Sequence, residues 1–298
     1  MARCAIGIDI GGTNLRAAKV GEGGRILARL AEPISRNAET VVVRVVDLCR
    51  ELDGPDVGAV GVGVPGRVDP RRREVLSGGY VDLRGCDLVR RIEDALGKPV
   101  AIDNDCSMHL VAEMAFGAAE GSAHAIMFTI GTGIGGAVAL GGRIVHGAGT
   151  AGQLGHITVE FEGQPCACGR RGCVETTSSG TALARPVAEA GLPVGTRVEA
   201  LLMAGERGDP VATRVLELWA RPLRFAIDSM VAAVAPDVVV LGGGLGVAAR
   251  AALAHAPALS PWYQCPVAPA RLGDDAGVIG SALAAKTYAR RGQERDEA

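Results

Sequence analysis

Aromatic residues make up only 3% of this 298-residue chain, and lysine occurs only at Lys19, Lys98 and Lys286. Long apolar runs are missing as well: the opening run Cys4 to Ile10 is interrupted by Asp9 and stopped by Gly11-Gly12, far short of a signal sequence or a membrane span. A cytoplasmic protein is the expectation. With a net charge of −2 and no basic cluster beyond Arg71-Arg72-Arg73, the chain has no electrostatic footprint for nucleic acid or an anionic membrane. It also lacks a Gly-Lys-Ser or Gly-Lys-Thr phosphate loop, so any phosphate must be cradled otherwise. What is abundant is aliphatic: 48% apolar residues suffice for two buried cores, in domains of about 120 to 170 residues each.

Of the eight cysteines, Cys4, Cys49, Cys86, Cys106 and Cys265 stand singly, as buried thiols do, and argue against a disulfide framework. Cys166, Cys168 and Cys173 cluster within eight residues, with His156 ten positions before the first. That is the donor set and spacing of a closed, structural Cys3His zinc site, which leaves no open position for a catalytic water. Glu175 follows two residues after the last thiol and is the candidate functional group of the loop.

Apolar runs at 4–10, 14–20 and 25–31, separated by Gly11-Gly12-Thr13 and Gly21 to Gly24, read as a β-meander. A helix over 39–52, a strand over 57–64, a helix over 87–96, a strand over 99–102 and a helix over about 107–117 follow. The grammar then restarts: apolar Ala125 to Ile130, the turn Gly131-Thr132-Gly133-Ile134-Gly135-Gly136, apolar Ala137 to Leu140, and Arg143 to Val145. This internal repeat predicts duplicated α/β domains, 1–118 and 119–279, the second carrying the loop 156–175. Further helices are expected at about 178–190, 208–235, 246–255 and 276–290, with a strand at Val238 to Leu241 before Gly242-Gly243-Gly244.

Glycine turns between strands let backbone N–H groups approach an anion, and a threonine hydroxyl adds a donor. Each turn alone reads equally as an ordinary β-turn. Asp9, beside the first turn, either faces a magnesium ion carried by a nucleotide or caps its own turn. Asn104-Asp105 follow a strand end, where α/β proteins bind ligands, although the local pattern favours Asp105 as the N-cap of the next helix.

Taken in order, Asp9 to Asn14, Asn104-Asp105, Gly131 to Gly136, Gly152 to His156 and Cys166 to Glu175 resemble the ROK family of bacterial sugar kinases and repressors, over nearly the whole chain. The resemblance implies an actin-like, hexokinase-type ATPase fold: two α/β domains around a cleft, with the C-terminal helix, about 280–298, packing back on the first. It implies Asp105 as the catalytic base and Gly66, Asn104, His156 and Glu175 as sugar contacts. Asp9, Gly11, Gly12, Thr13, Asn14, Thr132, Gly133 and Gly135 would serve the phosphates of ATP and its magnesium, and Gly243 and Gly244 would seat adenosine. It further implies homodimers or larger homo-oligomers. With only eight residues before Asp9, a DNA-binding segment is not expected, which favours a kinase over a repressor; a non-catalytic sugar sensor is the remaining alternative.

Two positions depart from the family pattern. Gln153 stands where the family commonly has glutamate, and Asp82 where it has asparagine. Moving a negative charge to Asp82 suits an amino-glucose such as kanosamine (3-amino-3-deoxyglucose), with an ordinary glucokinase as the alternative.

Overall fold

The computed structural model describes residues 4–296. Residues 1–3 and 297–298, which fall within the segments expected above, lie outside the described residues. The chain divides into two compact units: Met1–Gly117 with His146–Thr150 and Asp274–Ala298, and Ala118–Val145 with Ala151–Gly273.

The first unit opens with β1 (Cys4–Ile10), β2 (Asn14–Val20) and β3 (Ile26–Pro33), followed by α1 (Ala38–Leu52), β4 (Val57–Val64), the small hairpin β5 (Val68–Asp69) and β6 (Glu74–Val75), α2 (Leu88–Leu96), β7 (Val100–Asn104) and α3 (Asp105–Phe116). Its main sheet runs β3-β2-β1-β4-β7. The meander pairs are antiparallel, while β4 lies parallel to β1 and β7 parallel to β4. β1, with three isoleucines, and β4, with four valines, are apolar almost throughout because both faces of the sheet are covered, which removes the period-two alternation of a half-exposed strand. α1, capped by Asn37, lays Val41, Val42, Val45 and Cys49 on one face.

The second unit holds β8 (Ala125–Ile130), β9 (Ile134–Leu140), β10 (Arg143–Ile144), α4 (Glu175–Ser178), α5 (Ala184–Glu189), α6 (Val198–Glu206), α7 (Pro210–Val234), β11 (Val238–Gly242), α8 (Gly246–Ala252) and β12 (Val267–Pro269). Its sheet order, β10-β9-β8-β11-β12, repeats that of the first, antiparallel across the first three strands and parallel across the last three. The repeat seen in the sequence is thus a repeat of topology. α7 begins at a capping Asp209 with Pro210 in the first turn and buries Trp219, Leu223 and Ile227.

α9 (Ala276–Asp296) then belongs to the first unit and covers the face opposite α1. It lies directly on the strands: a Cβ on Gly7 would sit 1.8 Å from the Val278 carbonyl oxygen, and one on Gly61 would sit 1.8 Å from that of Ser281. Among the described residues no helix is long and apolar enough to cross a membrane.

One expected helix differs. The one over 178–190 is shortened to α5, with α4 already ending at Ser178, because Gly180 donates its N–H to the Gly131 carbonyl and not to a helical turn. The expected 208–235 helix is α7, but the separate α6 before it, and the short β12, were not foreseen; both are brief and lack a clear hydrophobic period.

Candidate active site

In the first unit the chemistry collects where β7 ends and α3 begins. The sequence favours Asp105 as the cap of α3; the structure gives that role to Asn104, whose Oδ1 accepts from the N–H groups of Cys106 (2.9 Å) and Ser107 (3.3 Å). Its amide nitrogen donates to the Gly66 carbonyl and to Asp105 Oδ1, both at 2.8 Å. Gly66 is held at φ +92°, and a Cβ there would lie 2.2 Å from the Ser77 carbonyl oxygen, so only glycine suits this position. Asn104 therefore caps the helix with its oxygen and, with one amide hydrogen bond, orients its neighbour.

Asp105, relieved of capping, keeps an open oxygen. Oδ1 accepts from Asn104 and from Cys106 N–H. Oδ2 faces the Tyr80 hydroxyl at 3.3 Å, but that hydroxyl's single proton goes to the Ile10 carbonyl at 2.8 Å. Burial pushes the Asp105 carboxyl above its ordinary value; His109 opposes the shift and the Asp9 charge adds to it. Burial also pushes the Tyr80 phenol up, so Tyr80 stays protonated as a wall for this oxygen. Its ring packs against the first glycine turn, 3.5 Å from where a Cβ on Gly12 would be. Nothing in the sequence singled Tyr80 out beyond its place two residues before Asp82.

Asp9 is 3% exposed near the end of β1. The first turn is closed by Gly11 N–H to the Asn14 carbonyl at 3.0 Å, and Thr13 is pinned by Ile34 N–H at 3.0 Å. Asp9 accepts no hydrogen bond from this turn among the described residues, which removes the reading that it caps it. Its Oδ2 instead has Arg16 Nη1 and His109 Nε2 at 3.8 Å each. Asp82 is exposed and clamped by Arg84, Oδ1 to Nε at 2.9 Å and Oδ2 to Nη2 at 2.6 Å, and this guanidinium holds the Asp82 carboxyl below its usual range.

In the second unit, Glu175 Oε2 accepts from Ile134 N–H at 2.9 Å, and a Cβ on Gly133 would lie 2.5 Å from that oxygen. The turn is tied further by Gly131 N–H to the Gly133 carbonyl at 3.0 Å and by Thr181 Oγ1 to the Thr132 carbonyl at 2.8 Å. Gly135 stays in the ladder opposite Thr129. Gly243 sits at φ +77° with its would-be Cβ 2.5 Å from the Ile130 carbonyl oxygen, whereas Gly244 borders open space. Beside these glycines lies a cavity of about 260 Å³, largely apolar, lined among others by Gly180, Leu183, Val187, Val198 and Leu245.

The donor atoms of His156, Cys166, Cys168 and Cys173 all lie within 4.8 Å of one another. Cys166 Sγ is 3.5 Å from His156 Nδ1, and the Cys168 and Cys173 sulfurs are 3.6 Å apart. Ligands about 2.3 Å from a tetrahedral zinc are separated by about 3.8 Å, so this set fits the ion. His156 Nε2 is left outside the cluster. The turn bearing His156 is seated on β9, since a Cβ on Gly155 would fall 1.8 Å from the Ile134 carbonyl oxygen. The cysteine loop, Glu175 and the second glycine turn thus form one bonded block. Gln153, half-buried, makes no side-chain hydrogen bond among the described residues.

Two sheets of one topology, each with a glycine turn after its leading strand, define a hexokinase-type ATPase fold. The chain belongs to the ROK family, which matches residues 5–288. It is similar to a glucokinase from Thermotoga maritima, 30% identical over 304 residues, covering 93% of this chain and 95% of that protein. Among solved structures, a ROK hexokinase from Thermus thermophilus is 34% identical with a TM-score of 0.82, covering 97% of this chain and 99% of that one. A ROK family glucokinase from Streptomyces griseus, solved with glucose and AMPPNP, is 31% identical with a TM-score of 0.79, covering 95% and 99%.

Proposed function

We propose that this chain transfers the γ-phosphoryl group of ATP to the 6-hydroxyl of a glucose-type hexose. That it is a sugar kinase rests on the family and on relatives named for that activity. The carrying observation for the chemistry is Asp105: a buried carboxylate at a strand end, aimed by Asn104, with one oxygen lacking a committed donor. In this reading Asp105 takes the proton from the attacking hydroxyl, and its raised pKa brings it nearer the operating pH. Phosphoryl transfer spreads charge over the transferred group, and backbone N–H groups of a glycine turn are suited to neutralise it. Asp9 would be the residue to hold the magnesium ion that ATP carries, and that ion would supply further neutralisation of phosphate charge. The cavity beside Leu245 suits the adenine ring, being apolar and close to Gly243 and Gly244. His156 and Glu175 would contact the sugar, with zinc fixing their loop.

The amino-sugar expectation fares less well. Its basis was a free charge on Asp82, and that charge is spent on Arg84 at the surface. A neutral glucose-type sugar is therefore preferred, with Gln153 as a hydroxyl contact that both donates and accepts. Turnover of glucose, glucosamine, N-acetylmannosamine and kanosamine, compared as kcat/KM, tests this. Glucose should lead and Asp82→Asn should change the ranking little; a clear preference for kanosamine that Asp82→Asn abolishes would restore the amino-sugar reading. Asp105→Asn should cut kcat by about 100-fold or more while sugar KM changes little, and near-normal turnover would remove Asp105 from the role.

A further inference from the structure

Asp105 keeps one oxygen open to a substrate, and an open carboxylate oxygen accepts a proton from water as well as from a sugar hydroxyl. Water far outnumbers any sugar, so a sugar-dependent transfer needs a group that keeps water from the base. Tyr80 is placed to do this. It lies in the loop between β6 and α2, fixed on one side by Ser77, whose N–H donates to the Arg67 carbonyl at 3.3 Å, and on the other by the buried Val81 and Leu83. Arg36 donates from Nη1 to the Tyr80 carbonyl at 3.1 Å. The ring is thereby held between the first glycine turn and Asp105, with Oη 2.8 Å from the Ile10 carbonyl oxygen and 3.3 Å from Asp105 Oδ2.

The direction of those contacts decides what Tyr80 offers the base. Its single hydroxyl proton goes to Ile10, so it turns a lone pair toward Oδ2 and gives Asp105 nothing to take. A smaller side chain would leave a space bounded by the Ile10 carbonyl and the Asp105 carboxylate, two acceptors that one water bridges by donating a hydrogen to each. That water, unlike the phenol, is free to lose its proton to Oδ2. Phenylalanine would not admit it: the ring carbon that bore the hydroxyl stays in place, and a hydroxyl oxygen sits at bonding distance from that carbon, where a separate water does not fit.

We propose that Tyr80 is a positioning residue that makes phosphoryl transfer depend on the sugar, its ring occupying the place from which a water would reach Asp105. The proposal rests on Asp105 being the base. Without the ring, Asp105 takes a proton from water; the water oxygen bonds to the γ-phosphorus as the bond from that phosphorus to the β-phosphate oxygen breaks, giving ADP and inorganic phosphate. The test measures ADP, sugar phosphate and inorganic phosphate formed from ATP and magnesium in ¹⁸O-labelled water, with and without glucose, for the wild type, Tyr80→Ala, Tyr80→Val and Tyr80→Phe. In the alanine and valine variants, ATP hydrolysis without sugar should rise about tenfold or more over the wild type, with the label entering inorganic phosphate, and with glucose present ADP should exceed sugar phosphate. Tyr80→Phe should keep the two products equal, whatever its rate. Adding Asp105→Asn to either small variant should return hydrolysis to the wild-type level. Equal products in both small variants overturn the proposal, as does a phenylalanine variant uncoupled as strongly as alanine, or hydrolysis that survives Asp105→Asn. Valine keeps an apolar contact where Tyr80 packs against the core. The wild type should hydrolyse ATP without glucose at less than about a hundredth of its transfer rate, and hydrolysis as fast as transfer overturns the proposal whether or not the variants fold. Near-normal sugar phosphorylation by Asp105→Asn alone would defeat the assignment of the base, and this proposal with it.

Discussion

Asp105 carries conflicting demands, because the surroundings that suit it to take a proton also disfavour its charge. Its folded-state pKa lies above the ordinary aspartate value. The stability that follows is fully present below the unfolded pKa and is lost as pH rises through the folded one. Asp105→Asn should therefore raise Tm at pH 7 to 8 while suppressing turnover, and should narrow its advantage as the pH is lowered; melts across pH that show a less stable variant at pH 7 would contradict this. Asn104→Ala removes the cap of α3, worth about 1 kcal/mol, and should lower kcat by more than that loss of stability explains. The sequence showed that residues 104 and 105 matter, but not which of them caps the helix, since a one-residue change in where α3 starts exchanges their roles. Tyr80 was illegible because its place beside Asp105 and the first glycine turn depends on what folds against it.

Among the elements, the loop from His156 to Glu175 was the most legible, its spacing stating its donors outright. What the spacing could not show is the partner of Glu175, a backbone N–H of Ile134 in the second glycine turn. The cysteine cluster, Glu175 and the second glycine turn are one mechanical block, so Cys168→Ser should lower zinc content and raise sugar KM about tenfold or more; unchanged KM in a metal-depleted variant would detach the loop from substrate binding. Strands β1, β2 and β4 fall where their apolar runs predict. The docking of α9 onto them is written instead in Gly7 and Gly61, which sequence alone leaves as two among 43 glycines. Gly61→Val should cost roughly 3 kcal/mol in urea unfolding, because the obstacle is the Ser281 backbone and cannot rotate away.

For the whole molecule, the repeat of strand, glycine turn and strand proved to be two copies of one sheet order, each with its own core. That much follows from turn residues and apolar runs, which local physics governs. The ion pair of Asp82 does not, since only the fold closes Arg84 onto its carboxylate. Product analysis tests the proposed phosphoryl transfer most directly. Wild-type protein incubated with ATP, magnesium and glucose should yield ADP and a sugar phosphate in equal amounts, with ³¹P NMR placing the phosphate on the 6-oxygen and neither product forming without the sugar. ATP hydrolysis that ignores the sugar, or phosphate on another carbon, would contradict it.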